Sequence, residues 1–197
     1  LFIMFPSKFI NLSIFVFEIL KIIAVMRINK IDIINFKGFQ HETREFKSNL
    51  TVVIGNNTAG KTTLLKALQV GLGAYLQCLG KLPSAAQYRR NFSIHDRFMA
   101  FDSAEKDYVP NNERTRISID ADFYVTDSIE NDVPQFTPTS IAWSREFTGS
   151  TTTHSKSCAG ELMTVVSEME SKRYEHHDGS VYPLVLSFGA KRTSDAQ

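Results

Sequence analysis

Leu50-Thr51-Val52-Val53-Ile54-Gly55-Asn56-Asn57-Thr58-Ala59-Gly60-Lys61-Thr62-Thr63 is the stretch that decides the fold. Its second half fits G-x-x-x-x-G-K-[ST], the phosphate-binding P-loop. A β-branched run, Leu50 to Ile54, stands before it and predicts a strand. Leu64 to Val70, without Gly or Pro, follows and predicts a helix. Gly55 and Gly60 permit backbone conformations that side chains block. The N–H groups between them can then turn inward on a phosphate, and the helix adds its partial positive N-terminus. Lys61 is expected to reach the β- and γ-phosphates of ATP, and the Thr62 hydroxyl to ligate Mg²⁺. The candidate ATP-binding residues are therefore Gly55, Asn56, Asn57, Thr58, Ala59, Gly60, Lys61, Thr62 and Thr63, with Thr62 the candidate Mg²⁺ ligand. A chance Gly-rich turn is the bland alternative.

Outward from the loop, the 197 residues suit one domain with extra segments. Hydrophobic content of 43% and charged content of 22% are ordinary for a globular chain. A net charge of +1 gives no global argument for nucleic acid or a membrane surface. Cys78 and Cys158 lie far apart without metal-ligand spacing, which points to free thiols in a reducing cytoplasm.

Residues 1–25 are crowded with Phe and Ile. Lys8, Glu18 and Lys21 interrupt the apolar run, so it makes a poor signal peptide and a marginal membrane span. The expected natural start is Met26, which opens a strand directly. A surface or membrane-associated helix is the alternative, and a membrane role rests on these residues alone.

From Met26, Ile28 to Asn35 alternates and predicts a strand, Phe36 to Phe39 a turn, and Glu42 to Phe46 a second strand. Asn29-Lys30-Ile31-Asp32 matches the guanine-reading N-K-x-D pattern, but Asp32 precedes Gly55 by 23 residues where that motif should follow it. Strand residues of alternating exposure are the expected reading.

Ile33, Asn35, Phe36, Lys37 and Phe39, followed by Asn49, Val52 to Gly55, Asn57, Gly60 to Leu65 and Ala67, resemble the amino-terminal opening of SMC/RecF-like ABC-type (AAA-domain) ATPases. The chain is similar above all to bacterial ATP-binding proteins of that class, some of which sit in phage-defence systems. Thr58 departs from the usual Gly. The resemblance covers Met26 to about Gly80. It implies an α/β P-loop NTPase fold of the ABC-head type, with residues 26–197 as an amino-terminal lobe carrying an antiparallel β subdomain. It also places the N-F-K-G-F turn near the nucleotide, which makes Lys37 a candidate contact with phosphate or adenine. A solvated turn lysine is the equal alternative.

Further on, Leu65, Leu68, Leu72, Leu76 and Leu79 predict one core-facing helix, softened at Gly71 and Gly73 and ended at Pro83. Gln87 to Phe101 interleaves Arg89, Arg90, His95 and Arg97 with Phe92 and Phe98, read as a solvated helix face with a nucleic-acid contact as the sharper alternative. Glu105 to Arg114 reads as polar turn, Ile117 to Val125 as strand, Thr126 to Pro138 as loop, and Thr139 to Phe147 as an antiparallel strand. Asp120 is a poor Walker B aspartate, because Ser118 breaks the apolar run and Ala121 stands where Glu belongs. Gly160 to Glu170 predicts a helix with Leu162, Val165, Val166 and Met169 inward. His176-His177 near Asp178 reads as a polar loop, not a metal site. Val181 to Gly189 predicts a buried strand and turn. It resembles a family segment that would bring Gly189 and Arg192 near the nucleotide.

The sequence shows no signature motif, no convincing Walker B and no switch histidine, so no residue is assigned to the chemical step. The expectation is an incomplete ABC-type lobe that binds ATP·Mg²⁺. It would hydrolyse ATP only with its carboxy-terminal lobe and a second head (a homodimer), acting on DNA or with a nuclease partner. The alternatives are a regulatory module that binds nucleotide without hydrolysis and a P-loop kinase for a small metabolite, whose lid would draw on Arg89, Arg90 and Arg97.

Overall fold

The computed structural model describes residues 26–47, 50–56, 59–82, 87–111, 113–130, 133–175 and 182–185. The apolar leader 1–25, Asn49, Asn57, Thr58, Pro83, His176-His177-Asp178, Gly189 and Arg192 lie outside these residues.

Strand β1 (Met26–Phe36) folds back on β2 (Phe39–Glu45) across Lys37 and Gly38, with Phe36 opposite Phe39. The N-F-K-G-F sequence is thus the hairpin turn, as expected. It needs left-handed backbone at Asn35 (φ 51°) and Lys37 (φ 53°). On its other side β1 pairs antiparallel with β5 (Thr115–Glu130), which pairs in turn with β6 (Val133–Phe147). The sheet order is β2-β1-β5-β6.

Period-two alternation sorts its two faces. Ile31, Ile33, Ile117, Ile119, Ala121, Phe123, Ile141 and Trp143 are buried. Lys30, Asp32, Ser118, Asp120 and Ser144 are half-buried on the opposite face. Two helices cover the apolar face: α1 (Lys61–Cys78) against β1, β5 and β6, and α2 (Lys156–Glu175) against β6 and α1. Leu162, Val165, Val166 and Met169 face the core as expected. The α2 helix starts four residues before Gly160, with a break in helical backbone at Ala159. Beyond it, residues 182–185 have no regular structure where a strand was expected. Tyr182 and Val185 still pack against the core, and the Pro183 carbonyl accepts the Tyr75 hydroxyl at 3.0 Å.

Helix α1 stops at Cys78, short of the expected Leu82. Its buried face runs through Leu64, Ala67, Leu68, Val70, Leu72, Ala74 and Tyr75, which leaves Leu65 exposed. The expectation that Gly71 and Gly73 soften the helix is corrected. A Cβ on Gly71 would lie 2.4 Å from the Ile119 side chain, and one on Gly73 2.4 Å from Arg145 Nη1. The two glycines let the helix sit directly on β5 and β6.

Three other expectations are corrected. The loop predicted over Thr126 to Pro138 is ladder: β5 and β6 remain paired as far as Glu130 and Val133. Pro134 and Pro138 hid this from a reading of turn signals. They fit because β6 is an edge strand in the described sheet. Gln87 to Phe101 is not a helix. It holds a 3₁₀ turn (Ile94–Asp96) and then β3 (Met99–Asp102). That strand pairs with β4 (Asp107–Pro110), inside the stretch predicted as polar turn. Asp102 closes this hairpin by accepting the Ala104 N–H at 2.7 Å.

The third correction concerns the opening stretch itself. Leu50 to Ile54 forms no regular strand, and Leu50, Val52, Val53 and Ile54 are exposed. A strand exists only in a ladder, and none of the described strands pairs with this run. β-Branched composition records a fit to a pleated, half-buried surface, and it supplies no partner by itself.

Candidate functional site

The P-loop is built on α1. Gly60 takes φ 77° and caps the helix, and its carbonyl accepts the Leu64 N–H at 2.9 Å. Only glycine suits this position. The backbone is left-handed, and an added Cβ would lie 2.6 Å from Phe39 Cζ. The Phe39 ring therefore rests on the loop's exit and ties it to the β1–β2 turn. At the loop's entry, a Cβ on Gly55 would lie 3.1 Å from Ala59 Cβ.

Lys61 Nζ donates to the carbonyls of Gly55 at 2.5 Å and Asn56 at 2.6 Å, and the Ala59 N–H donates to Asn56 O at 3.2 Å. The ammonium thus lies inside the curl of the loop, drawing entry and exit together. Thr62 is exposed and Thr63 half-buried. Helix α1 has no side-chain cap at Gly60 and no acidic residue in its first turn. No carboxylate on that turn competes for an anion at this helix terminus. The described part of the loop fits a phosphate chain: a glycine-gated curl, a central cation and a helix N-terminus without a side-chain cap. Asn57 and Thr58 belong to the same candidate set but lie outside the described residues.

Lys37 is not a free turn lysine. Its backbone N–H donates to Asp96 O at 2.7 Å, and its Nζ pairs with Asp96 Oδ1 at 2.7 Å. Arg90 Nη2 holds the same carboxylate at 3.0 and 3.3 Å, and the Ser93 N–H donates to Oδ2 at 3.0 Å. Asp96 is 1% exposed. Burial works to raise its pKa; the Lys37 hydrogen bond, the Ser93 N–H and Arg90 outweigh it, and the carboxyl titrates below its ordinary value. Sequence reasoning missed Asp96. A signal was available in Ser93-Ile94-His95-Asp96, a capping-box pattern that the structure forms.

Arg90, Phe92 and Arg97 of the 87–101 stretch turn inward, whereas Tyr88, His95 and Phe101 are exposed. Arg90 serves Asp96, Arg97 Nη2 donates to Asn111 O at 2.6 Å, and Phe92 is buried between Phe36 and Phe147. Asp120 lies in mid-strand opposite Lys30 and Ala142, on the sheet face turned away from α1. Asp32 of the N-K-x-D match accepts bonds from Thr43 and His41 on that polar face, as a strand residue would. Cys78 and Cys158 are free thiols. Among the described residues no three His, Cys, Asp or Glu side chains group as a metal site, and no helix is long and apolar enough to cross a membrane.

Arg145 is a second residue the sequence concealed. It is 1% exposed, with no acid within ion-pair distance among the described residues. Its guanidinium donates to Val70 O at 2.9 Å, Arg90 O at 2.8 Å and Asn91 Oδ1 at 2.7 Å. Burial, with Arg89 nearby, pushes its pKa down to about 10, so it stays cationic at neutral pH. It joins α1, the 90–91 segment and β6 at one point.

A family model described as AAA ATPase domain matches residues 26–179. The retron Ec83 probable ATPase of Escherichia coli is 43% identical over 49 residues, which is 24% of this chain and 9% of that protein. The chain thus spans under a tenth of that relative's length. A solved structure from work on ATP-driven dimerization and DNA-stimulated activation of SMC ATPases is similar at TM-score 0.39 and 17% identity, covering 71% of this chain and 77% of that one.

Proposed function

The chain belongs to the AAA ATPase domain family, an ATPase-type nucleotide-binding module, and from that membership we propose that Gly55 to Thr63 bind ATP with Mg²⁺. The observation that carries the proposal is the Lys61 ammonium inside a loop gated by a left-handed Gly60, at a helix terminus without a side-chain cap. Bound ATP brings the β- and γ-phosphates; Lys61 would exchange its two carbonyl partners for their oxygens, and the Thr62 hydroxyl would ligate the Mg²⁺. Gly55 and Gly60, with Asn56, Asn57, Thr58 and Ala59 between them, would shape the cradle, and Thr63 would extend it into α1. Lys37 is proposed as a further contact with the phosphates.

Phosphoryl transfer needs groups that position water and stabilise charge as well as a cradle. The sequence supplies no convincing Walker B carboxylate, and Asp120 stands on the wrong face of the sheet. The chain by itself should therefore bind ATP·Mg²⁺ with negligible turnover. Hydrolysis would require a completing lobe and a second ATPase head. DNA or a nuclease is proposed as the further partner, on the strength of the sequence resemblance, and a cytoplasmic location with it. The kinase alternative loses ground because two of its three lid arginines, Arg90 and Arg97, hold internal bonds. A steady-state assay on the purified 197-residue chain is expected to show ATP binding without phosphate release. Sustained hydrolysis, or transfer of phosphate to a metabolite, would contradict this.

A further inference from the structure

Asp96 carries more cation than one carboxylate can neutralise. Lys37 and Arg90 both bind it, at 2.7 and 3.0 Å, in a pocket where the carboxylate itself is 1% exposed. The two cations are not equivalent. Arg90 contacts both oxygens, and together with the Ser93 N–H it would keep the carboxylate satisfied by itself. Lys37 adds one oxygen contact and a long bond to His95 O at 3.5 Å. Withdrawing Lys37 therefore orphans no buried charge, whereas withdrawing Arg90 would leave Asp96 leaning on a single lysine. Lys37 also stands two residues before Phe39, whose ring rests on Gly60 at the exit of the P-loop. The surplus cation is thus held on a turn that packs directly on the phosphate cradle.

We propose that Asp96 is a positioning residue for nucleotide binding: it competes with the phosphate chain of ATP for Lys37, and Arg90 keeps Asp96 paired when Lys37 turns to the phosphates. The backbone bond from the Lys37 N–H to Asp96 O persists through the exchange, so only the side chain moves. Asp96 and phosphate then compete for one ammonium. Removing the carboxylate's charge should strengthen ATP binding, the opposite of what damage to the turn would do. This rests on the nucleotide-binding reading above.

The test is ATP·Mg²⁺ affinity of the full chain as wild type, Asp96→Asn, Lys37→Met and the double variant, with Lys61→Ala alongside. Asparagine retains an acceptor for the Ser93 N–H. If wild type binds ATP and Lys61→Ala does not, the nucleotide reading stands and the Asp96 question is isolated. The expected result is then that Asp96→Asn tightens ATP binding about fivefold, a modest coupling between sites, and has no effect in the Lys37→Met background. Weaker binding in Asp96→Asn, or the same change in both backgrounds, would overturn the proposal. Should Asp96→Asn fail to fold, ¹⁵N-lysine spectra of the wild-type protein decide the matter. ATP is expected to shift the Lys37 ammonium resonance, and an unmoved resonance at saturating ATP would overturn the proposal.

Discussion

Gly60 and Gly73 show how much a missing side chain can do. At Gly60, alanine would bear a left-handed backbone and press on the Phe39 ring. Gly60→Ala should cost about 1–3 kcal/mol of stability, read from urea unfolding, and should abolish ATP binding. At Gly73, alanine would meet Arg145 Nη1 at 2.4 Å and Arg90 O at 3.0 Å. A loss of about 1–3 kcal/mol is expected there too, in the range for overpacking. Gly38→Ala meets nothing within 4 Å and should stay within about 0.5 kcal/mol of wild type. The motif made Gly60 legible, because the P-loop pattern specifies it. Gly73 was misread as a weak point in a helix, since the residue filling its notch, Arg145, is 72 positions away in sequence. Asp96 was hidden for the same reason: its partner Lys37 comes from the distant β1–β2 turn.

Elements were legible where local pattern and tertiary pairing agree. β1, the N-F-K-G-F turn, β2, α1, the amino-terminal half of β5, the carboxy-terminal half of β6 and α2 all form where the local sequence pattern predicts them. They failed where pairing decides. Leu50 to Ile54 has a strand's composition but no ladder among the described strands. Residues 126–138 have a loop's composition and a ladder because β5 and β6 extend together. Hydrogen exchange separates these cases. Amides 51–54 should exchange at nearly unprotected rates. Those of Ile117 to Phe123, bonded to β1 on one side and β6 on the other, should show the slowest exchange in the chain. The joint between α1 and β6 can be probed as well. Trp143 Nε1 and Arg145 Nη1 donate to the consecutive carbonyls of Gly71 and Val70 at 2.9 Å each. Arg145→Met strips donors from Val70 O, Arg90 O and Asn91 Oδ1, and should cost about 2 kcal/mol or more. Lysine would not restore the geometry, because its ammonium lacks the planar fork.

Across the whole molecule, the acid limb of stability should follow the carboxylates bound to cations and N–H or O–H donors. Asp122 titrates below its ordinary value, through the Ser140 hydroxyl first and then Asn29 and Arg27, against the effect of burial. Asp96 does so through Lys37, Ser93 and Arg90 against the effect of burial. Groups whose pKa is depressed on folding contribute fully above the unfolded value of about 3.9 and lose that contribution as pH falls through the folded value. Thermal stability should therefore be level between about pH 5 and 8 in this respect and fall below about pH 4. Asp96→Asn should flatten part of that fall.

An AAA-family sheet-and-helix scaffold carries Lys61 in a glycine-gated loop, where the phosphates of ATP are proposed to bind. Isothermal titration of ATP·Mg²⁺ into the 197-residue chain, repeated with Lys61→Ala, tests this most directly. Saturable binding in the wild type and its loss in the variant, with the melting temperature of Lys61→Ala unchanged, is the predicted result. No binding by the folded wild type, or equal binding by both proteins, would contradict it.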